Sequence, residues 1–238
     1  MQVRNLIVGA LLFSCTGHVN AQSLTLRVDN IDQIVDSMTL EEKVNLLVGR
    51  NDYLFGGYEK LDKAPRVMDS SISGFTQVIP RLGIPATGLA DGPAGAVVVT
   101  RPDSKKNYYA TGFPIGSLLA CSWNTGLVET IGQAIGNEIL EYGVDVVLAP
   151  GMNIHRSPLC GRNYEYFSED PVLTGKIAAA YIRGVQSNGV GACPKHFAVN
   201  SQETNRTEVN EIVSQRALRE IYLKGFELEK RTEANRLN

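Results

Sequence analysis

The sequence predicts an α/β protein whose core is an incomplete (β/α)₈ barrel. Short apolar runs that suit buried strands lie at residues 86–90, 144–148 and 189–193, and helical patterns separate them. Strands that alternate with helices favour parallel pairing, in a barrel or in a doubly wound sheet. Chemically capable polar residues follow the end of each run, which is the edge where a barrel builds its active site. The sequence has neither a G-x-G-x-x-G after a strand nor a P-loop, so nucleotide-binding folds lose support.

The first residues have the pattern of an export signal. Arg4 gives a positive start, residues 6–13 form a short apolar run, and residues 19–21 offer a small-residue cleavage pattern. The apolar run is too short to span a bilayer as a helix. We expect residues 1–21 to be a signal peptide, with a lipid anchor at Cys15 as the alternative. Both alternatives predict an exported protein, periplasmic or extracellular.

The composition predicts that residues 22–238 form one globular domain. Apolar residues make up 43% of the chain and charged residues 20%, which is ordinary for a globular protein with its own core. A net charge of −2 gives no reason to expect nucleic acid or an anionic membrane surface as a partner. We find no further run that would serve as a transmembrane span, and the oligomeric state stays open.

The cysteines and histidines predict neither a disulfide framework nor a metal site. After removal of the signal peptide the cysteines are Cys121, Cys160 and Cys193. Their number is odd and none belongs to a C-x-x-C pair, so we expect no disulfide framework. The three histidines, scattered along the chain, are His18, His155 and His196. No metal and no cofactor are therefore predicted.

Two helical stretches open the domain. The first has apolar residues on one helical face, namely Ile31, Ile34, Val35 and Met38. Residues 39–42 (Thr-Leu-Glu-Glu) form a capping box that predicts the start of the second helix. Residues 50–80 are rich in Gly, Asp and Ser, and this composition predicts a surface loop.

Three later helices are predicted, each with its own apolar stripe. The first stripe is Leu127, Ile131, Ile135 and Ile139. The second helix begins at Asp170, because Asp suits the N-cap and the following Pro suits the first helical position. Its stripe is Leu173, Ile177, Tyr181 and Val185. Ser214 caps the third helix, which carries Leu218, Ile221, Tyr222 and Phe226.

The number of strands predicts only part of a barrel. About four strands precede residue 214, whereas a complete (β/α)₈ barrel has eight. The tail after Glu229 is polar and contains no further apolar run. The sequence therefore predicts the N-terminal portion of a barrel domain.

Four segments resemble the motifs of glycoside hydrolase family 3, in the same order. They are residues 90–93 (Ala-Asp-Gly-Pro), 148–171, 195–206 and 216–223. A single segment of this kind is weakly specific, whereas four in the right order are strongly specific. The family commonly has an arginine soon after the first segment, but here residues 96–99 are apolar and precede Arg101.

The resemblance implies that four side chains hold one sugar ring next to the scissile bond. They are Asp91, Arg162, Lys195 and His196. Sugar hydroxyls both donate and accept hydrogen bonds, and charged partners bind them roughly twice as strongly as neutral ones. Contacts that tighten as positive charge develops on the ring also stabilise the transition state. One sugar site would explain all four residues together.

Each of these motifs also has a structural interpretation. Asp91 with the following Gly-Pro suits a turn, and Lys195 with His196 suits a solvated basic pair. Glu169 and Asp170 suit a helix start, which is the favoured role for Asp170.

Three further residues are open between two roles. His155 is expected to be structural or to lie at the rim of the site. Arg206 either holds a loop by ion pairing or lies at the edge of the site. Trp123 either packs in the barrel or stacks on a sugar.

The resemblance implies a retaining mechanism with two carboxyl groups. The family's nucleophile is an aspartate on a later barrel strand, and in several subfamilies the acid/base is a glutamate on a following domain. Both are expected beyond residue 238, so the chain by itself is predicted to be inactive. No catalytic carboxylate is assigned within it, and Glu165, Glu169 and Glu203 are not given that role.

The predicted function is retaining, β-glucosidase-like hydrolysis of β-linked glucosides or short oligosaccharides, with a small carbohydrate as the binding partner. A non-catalytic sugar-binding remnant is the alternative from a different class. An N-acetylhexosaminidase of the same superfamily is disfavoured. Those enzymes usually have a Gly-rich, His-containing loop after Lys-His-Phe, and residues 198–203 here contain neither Gly nor His.

Overall fold

The computed structural model describes residues 24–49, 70–71, 73–100 and 107–234. The predicted signal peptide, including Cys15, lies outside these residues, and so does Arg101. In the part of the chain that is described, no helix has the length and apolar character needed to cross a membrane.

The domain begins with two short helices. A 3₁₀ turn at Val28–Asn30 leads into helix α1 (Ile31–Ser37), and helix α2 (Leu40–Val48) follows after a short break. The predicted capping box is confirmed. The Glu42 N–H donates to Thr39 Oγ1 at 3.1 Å, and the Thr39 N–H donates to Glu42 Oε2 at 2.9 Å.

The predicted apolar stripe of α1 is only half correct. Ile34 and Met38 are buried in a small core that includes Leu82. Ile31 and Val35 belong to the same predicted stripe but are 53% and 45% exposed. This small core covers only one side of α1. The sequence pattern does not show which of the apolar residues face it.

The strands form one open sheet and one separate pair. In chain order they are β1 (Ser70–Ser71), β2 (Gly74–Phe75), β3 (Gly88–Asp91), β4 (Val99–Thr100), β5 (Val146–Leu148) and β6 (Gly191–Ala192). The sheet order is β2-β3-β5-β6, and β3, β5 and β6 are parallel neighbours. Strand β2 pairs antiparallel with β3, and β1 pairs antiparallel with β4. The predicted α/β class with an incomplete barrel is confirmed in this open sheet.

The predicted loop at residues 50–80 needs a correction. Residues 50–69 and 72 lie outside the described part of the chain, but the rest of residues 70–80 contains β1, β2 and the start of a 3₁₀ turn at Pro80–Leu82. A strand of two residues is too short to show a period in the sequence. The strands β1 and β2 form because they pair with β4 and β3, respectively.

The later helices are α3 (Gly116–Cys121), α4 (Thr125–Glu141), α5 (Pro171–Gln186), α6 (Gln215–Ala217) and α7 (Lys224–Ala234). The cap at Ser214 is confirmed, because its hydroxyl accepts from the Ala217 N–H at 3.2 Å. The single helix predicted after Ser214 is interrupted by a π-helical turn at Leu218–Tyr222, which separates α6 from α7.

Helices α4 and α5 pack against each other and against the sheet. The main core contains residues from both helices and from β5, among them Ile135, Ile177 and Val147, which are fully buried. Leu127 begins the predicted stripe of α4 but is 46% exposed. Trp123 is 74% exposed, so it does not pack in the core of the described residues.

The predicted start of α5 is confirmed at Asp170. Its Oδ1 accepts from the N–H groups of Val172 and Leu173, at 2.6 and 3.2 Å. Asp170→Ala is expected to lower the free energy of unfolding by about 1 kcal/mol, because two backbone donors lose their acceptor. Asp170→Asn keeps a capping oxygen and should stay near the wild type. Urea unfolding measures both, and equal values for the two variants would contradict the capping role.

Candidate active site

Parallel pairing brings the carboxyl ends of three strands to one edge of the sheet. Asp91 is the last residue of β3, in register with Leu148 at the end of β5. Beyond the strands proper, Gly151 and Lys195 continue the parallel ladder as an isolated bridge. The segments that follow β3, β5 and β6 therefore start side by side.

Asp91 and Lys195 form an ion pair at this edge. Lys195 Nζ donates to Asp91 Oδ1 at 2.6 Å, and the two side chains are 16% and 49% exposed. The backbone of Asp91 is held on both sides. Its N–H donates to Ser73 Oγ at 2.9 Å, and its carbonyl accepts from the Val97 N–H at 2.9 Å. The carboxylate is thus fixed in place while remaining reachable from solvent.

Arg162 is surrounded by three hydrogen-bonding or charged partners. Its Nε pairs with Glu165, a residue that is almost completely buried. Its Nη2 lies 2.8 Å from His196 Nε2, and its Nη1 lies 3.7 Å from Glu203 Oε1. Since Glu165 follows Arg162 on the 3₁₀ turn Asn163–Glu165, the spacing of three residues places the carboxylate beside the guanidinium.

His196 is held by the backbone and side chains around it. Asn153 Oδ1 accepts from the His196 N–H at 2.7 Å and lies 3.1 Å from its Nδ1. The hydroxyl of Tyr166 lies 3.3 Å from the same ring nitrogen. Burial lowers the pKa of His196 to about 4, aided by the positive charges of Arg162, Lys195 and Arg206, although Asp91 acts in the opposite direction. The ring is neutral at pH 7.

Stability is expected to decrease as the pH falls from about 6.5 to about 4. In this window the unfolded chain protonates His196, whereas the folded protein keeps the ring neutral because its pKa is near 4. His196→Gln should reduce the pH dependence of the unfolding free energy across this interval. Urea titrations at several pH values measure it, and an unchanged slope in the variant would contradict the shift.

The structure brings together the four residues predicted from the sequence. Asp91 pairs with Lys195, Arg162 contacts His196, and the peptide bond between Lys195 and His196 joins the two pairs. Glu203 links Arg162 to Arg206, whose Nη1 lies 3.8 Å from Glu203 Oε2. Arg206 therefore both forms the predicted ion pair and lies at the edge of the cluster.

Two roles were open for His155, a structural one and a place at the rim of the site, and the contacts of its ring support the structural one. Its Nε2 lies 2.9 Å from the carbonyl of Asn163 and 3.2 Å from that of Tyr166. These bonds connect the segment after β5 to the 3₁₀ turn that carries Glu165. His155 supports the site and does not belong to the cluster.

Sequence reasoning missed Asn153 and Tyr166. Both are buried, at 1% and 0% exposure, and both touch His196. Asn200 was also missed and donates to Tyr166 Oη at 3.1 Å and to Glu203 Oε1 at 3.0 Å. Asn153 lies five residues after the end of β5, at the edge where a barrel builds its active site. That position could have marked it in the sequence as a candidate site residue.

Open space borders the cluster. A groove of about 300 Å³ lies between residues 92–97, residues 110–112 and the pair Tyr164 and Glu165. The first of these segments follows Asp91 directly, and Glu165 binds Arg162. Tyr181 in α5 contacts the loop that follows Asp91, since its hydroxyl donates to the carbonyl of Gly92 at 3.3 Å.

Comparison with known proteins gives consistent matches. Residues 65–233 match the glycosyl hydrolase family 3 N-terminal domain. The chain is 45% identical over 203 residues to thermostable β-glucosidase B of Acetivibrio thermocellus, a match that covers 83% of this chain and 24% of that protein. It is 40% identical over 198 residues to an exo-α-(1→6)-L-arabinopyranosidase of Bifidobacterium longum, covering 81% of this chain and 23% of that protein.

A solved structure matches as well. The structure of β-glucosidase 3B from Thermotoga neapolitana in complex with α-D-glucose has a TM-score of 0.73 and 54% identity, and covers 83% of this chain and 27% of that one. The chain thus spans about a quarter of the length of the proteins it matches.

Proposed function

Because the chain belongs to glycosyl hydrolase family 3, we propose that it supplies the sugar-holding side of a retaining, β-glucosidase-like active site. The substrates would be β-linked glucosides or short oligosaccharides. The observation that carries the proposal is the cluster of two pairs, Asp91 with Lys195 and Arg162 with His196, at the carboxyl edge of the sheet.

The chemistry of the cluster suits a ring of hydroxyl groups. Asp91 offers an acceptor with half of its side chain exposed, and Lys195 has two ammonium protons beyond the one it gives to Asp91. Arg162 adds further donors held in a fixed orientation by Glu165. Charge-assisted bonds from such groups bind hydroxyls more strongly than neutral partners do.

We assign neither catalytic carboxyl group to the described residues. Glu165 is buried and paired with Arg162, and Glu203 lies between Arg162 and Arg206. A nucleophile must reach the anomeric carbon, and carboxylates engaged with arginines in this way are poorly placed for it. Both catalytic carboxyl groups would come from sequence outside these 238 residues.

The test compares the 238-residue chain with a form extended through the remaining strands and the following domain. The extended form should hydrolyse aryl β-D-glucosides with retention of configuration, and the chain alone should not. Aryl α-L-arabinopyranosides belong in the panel, because one relative acts on that sugar. Hydrolysis by the chain alone, or none by the extended form, would overturn the proposal.

A non-catalytic sugar-binding remnant is the second candidate. It is favoured by the carboxylates of Glu165 and Glu203, because both lie beside arginines. It predicts glucose binding by calorimetry without hydrolysis, in the chain and in the extended form alike. Turnover by the extended form decides against it.

We also propose that the protein is exported, on the basis of the pattern in residues 1–21. Cleavage after Ala21 would give a mature protein that begins at Gln22. Lipid attachment would instead leave Cys15 as the first residue. N-terminal sequencing and mass measurement of the product secreted from a bacterial host distinguish the two, and an uncleaved cytoplasmic product would contradict both.

A further inference from the structure

The side chain of Asn153 contacts the segment around His196 through both its oxygen and its nitrogen. Its side-chain oxygen accepts from the His196 N–H at 2.7 Å and lies 3.1 Å from Nδ1 of the ring. Its side-chain nitrogen donates to the carbonyls of His196 and Ala198, at 2.9 and 3.1 Å. The residue is 1% exposed, so water does not replace these bonds.

The orientation of the Asn153 amide follows from its partners. A backbone N–H can only donate, and backbone carbonyls can only accept. The amide oxygen must therefore face the His196 N–H, and the amide nitrogen must face the two carbonyls. Rotating the amide by half a turn would break all three bonds. Since His196 Nδ1 lies beside that same oxygen, Nδ1 must carry the proton to make a bond with it.

The other ring nitrogen leads to the same tautomer independently. Arg162 Nη2 lies 2.8 Å from His196 Nε2, and a guanidinium has no acceptor. Nε2 must therefore be unprotonated and accept from Arg162. A neutral ring with its proton on Nδ1 satisfies both ends. The other tautomer would set an N–H against the guanidinium at Nε2 and the Nδ1 lone pair against the oxygen of Asn153, with the more distant Tyr166 hydroxyl as the donor to Nδ1.

We propose that Asn153 is a positioning residue that holds His196 as the Nδ1-protonated neutral tautomer and so presents Nε2 as an acceptor to Arg162. The consequence of this tautomer for sugar binding rests on the proposed function. Asn153 orients His196, and His196 with Glu165 orients the guanidinium that faces the sugar. The lowered pKa of His196 agrees with a ring that stays neutral.

The first experiment uses the wild-type protein. Long-range ¹H–¹⁵N NMR on histidine-labelled protein reports which nitrogen of each ring is protonated, and loss of one signal in His196→Gln assigns the resonance. At pH 7 we expect a protonated Nδ1 and an unprotonated Nε2. A ring protonated on Nε2, or on both nitrogens, would overturn the proposal without any variant at Asn153.

The second experiment separates an acceptor role from packing. Asn153→Leu keeps the approximate size but removes the acceptor of the Nδ1 proton, while Arg162 still opposes a proton on Nε2. The Nδ1–H signal of His196 should therefore shift and exchange faster with solvent, and glucose affinity should fall about tenfold. Asn153→Asp keeps an acceptor beside Nδ1, so Nδ1 should stay protonated, but it loses the two bonds to the carbonyls of His196 and Ala198 and should be less stable. If Asn153→Leu does not fold, the wild-type spectrum and Asn153→Asp decide, and loss of the proton on Nδ1 in Asn153→Asp counts against the proposal.

Asn188→Leu is the matched control. Its amide also donates to two backbone carbonyls, those of Gln133 and Gly184, but at the end of α5 and without any contact with His196. It should leave the His196 spectrum and glucose affinity unchanged. An Asn153→Leu spectrum identical to the wild type would overturn the positioning role.

The tautomer is measured without sugar, so its outcome is distinct from that of the proposed function. The expected tautomer in a protein that binds no glucose would support the role of Asn153 toward Arg162 and overturn the sugar site. Glucose binding with the opposite tautomer would support the sugar site and overturn the role of Asn153.

Discussion

Asp91→Ala is expected to lower kcat/KM of the extended enzyme for an aryl β-D-glucoside by roughly 150-fold, or about 3 kcal/mol. Two effects combine. The sugar loses a charge-assisted acceptor, and Lys195, which is only 16% exposed, loses its counter-ion at 2.6 Å. Breaking an ion pair by removing one partner costs more than the pair contributes, because the remaining charge stays partly desolvated. In the chain alone, the same change should weaken glucose binding measured by calorimetry.

Further variants make this prediction specific. Asp91→Asn keeps the size and one acceptor oxygen, so its loss should be about tenfold. Lys195→Met with Asp91→Ala completes a double-mutant cycle, and the two changes should be less than additive because the residues are in contact. Asp29→Ala removes an exposed carboxylate that pairs with Arg27 near the start of the domain, and it should leave kcat/KM unchanged. Equal activity of Asp91→Ala and Asp29→Ala would remove Asp91 from the site.

Gly184→Ala is expected to destabilise the fold by about 3 kcal/mol, the upper range for overpacking of a core. Helices α4 and α5 approach each other at this glycine. A Cβ atom here would lie 2.8 Å from the backbone nitrogen of Gln133 and closer still to the carbonyl oxygen of Glu129. Both neighbours are backbone atoms of a regular helix, so the helices must separate to make room. The unfolding midpoint in urea measures the loss.

Gly126→Ala is the matched control within the same helix pair. A Cβ atom at Gly126, in the first turn of α4, would meet only the side-chain oxygen of Asn124, at an ordinary distance of 3.4 Å. Replacing a helical glycine by alanine then stabilises by up to about 1 kcal/mol. The two substitutions should therefore have opposite signs. Destabilisation of similar size in both would show that helix approach is not the cause.

The sequence by itself determined features that depend on neighbours a few residues apart. Thr39, Asp170 and Ser214 cap their helices as predicted, because each side chain bonds to an N–H two or three residues later. The order of apolar runs and helices likewise predicted parallel strands. Parallel strands place their carboxyl ends together, so the grouping of Asp91 with residues after the later strands followed from the same pattern.

The tertiary structure decided which faces are covered and which partners meet. Ile31 and Ile34 look alike in the sequence, yet one is 53% exposed and the other 2%, because only one faces the small second core. The antiparallel strand β2 has two residues and no period to detect.

The tertiary structure also decided which residues of the candidate site pair with each other. Lys195 meets Asp91 across 104 residues of chain, and Asn153 reaches His196 across 43. Bonds between distant residues depend on how strands and loops pack, and no local spacing encodes them. The residues of the candidate site could therefore be named from the sequence, whereas their pairing, and the buried amide that orients His196, required the fold.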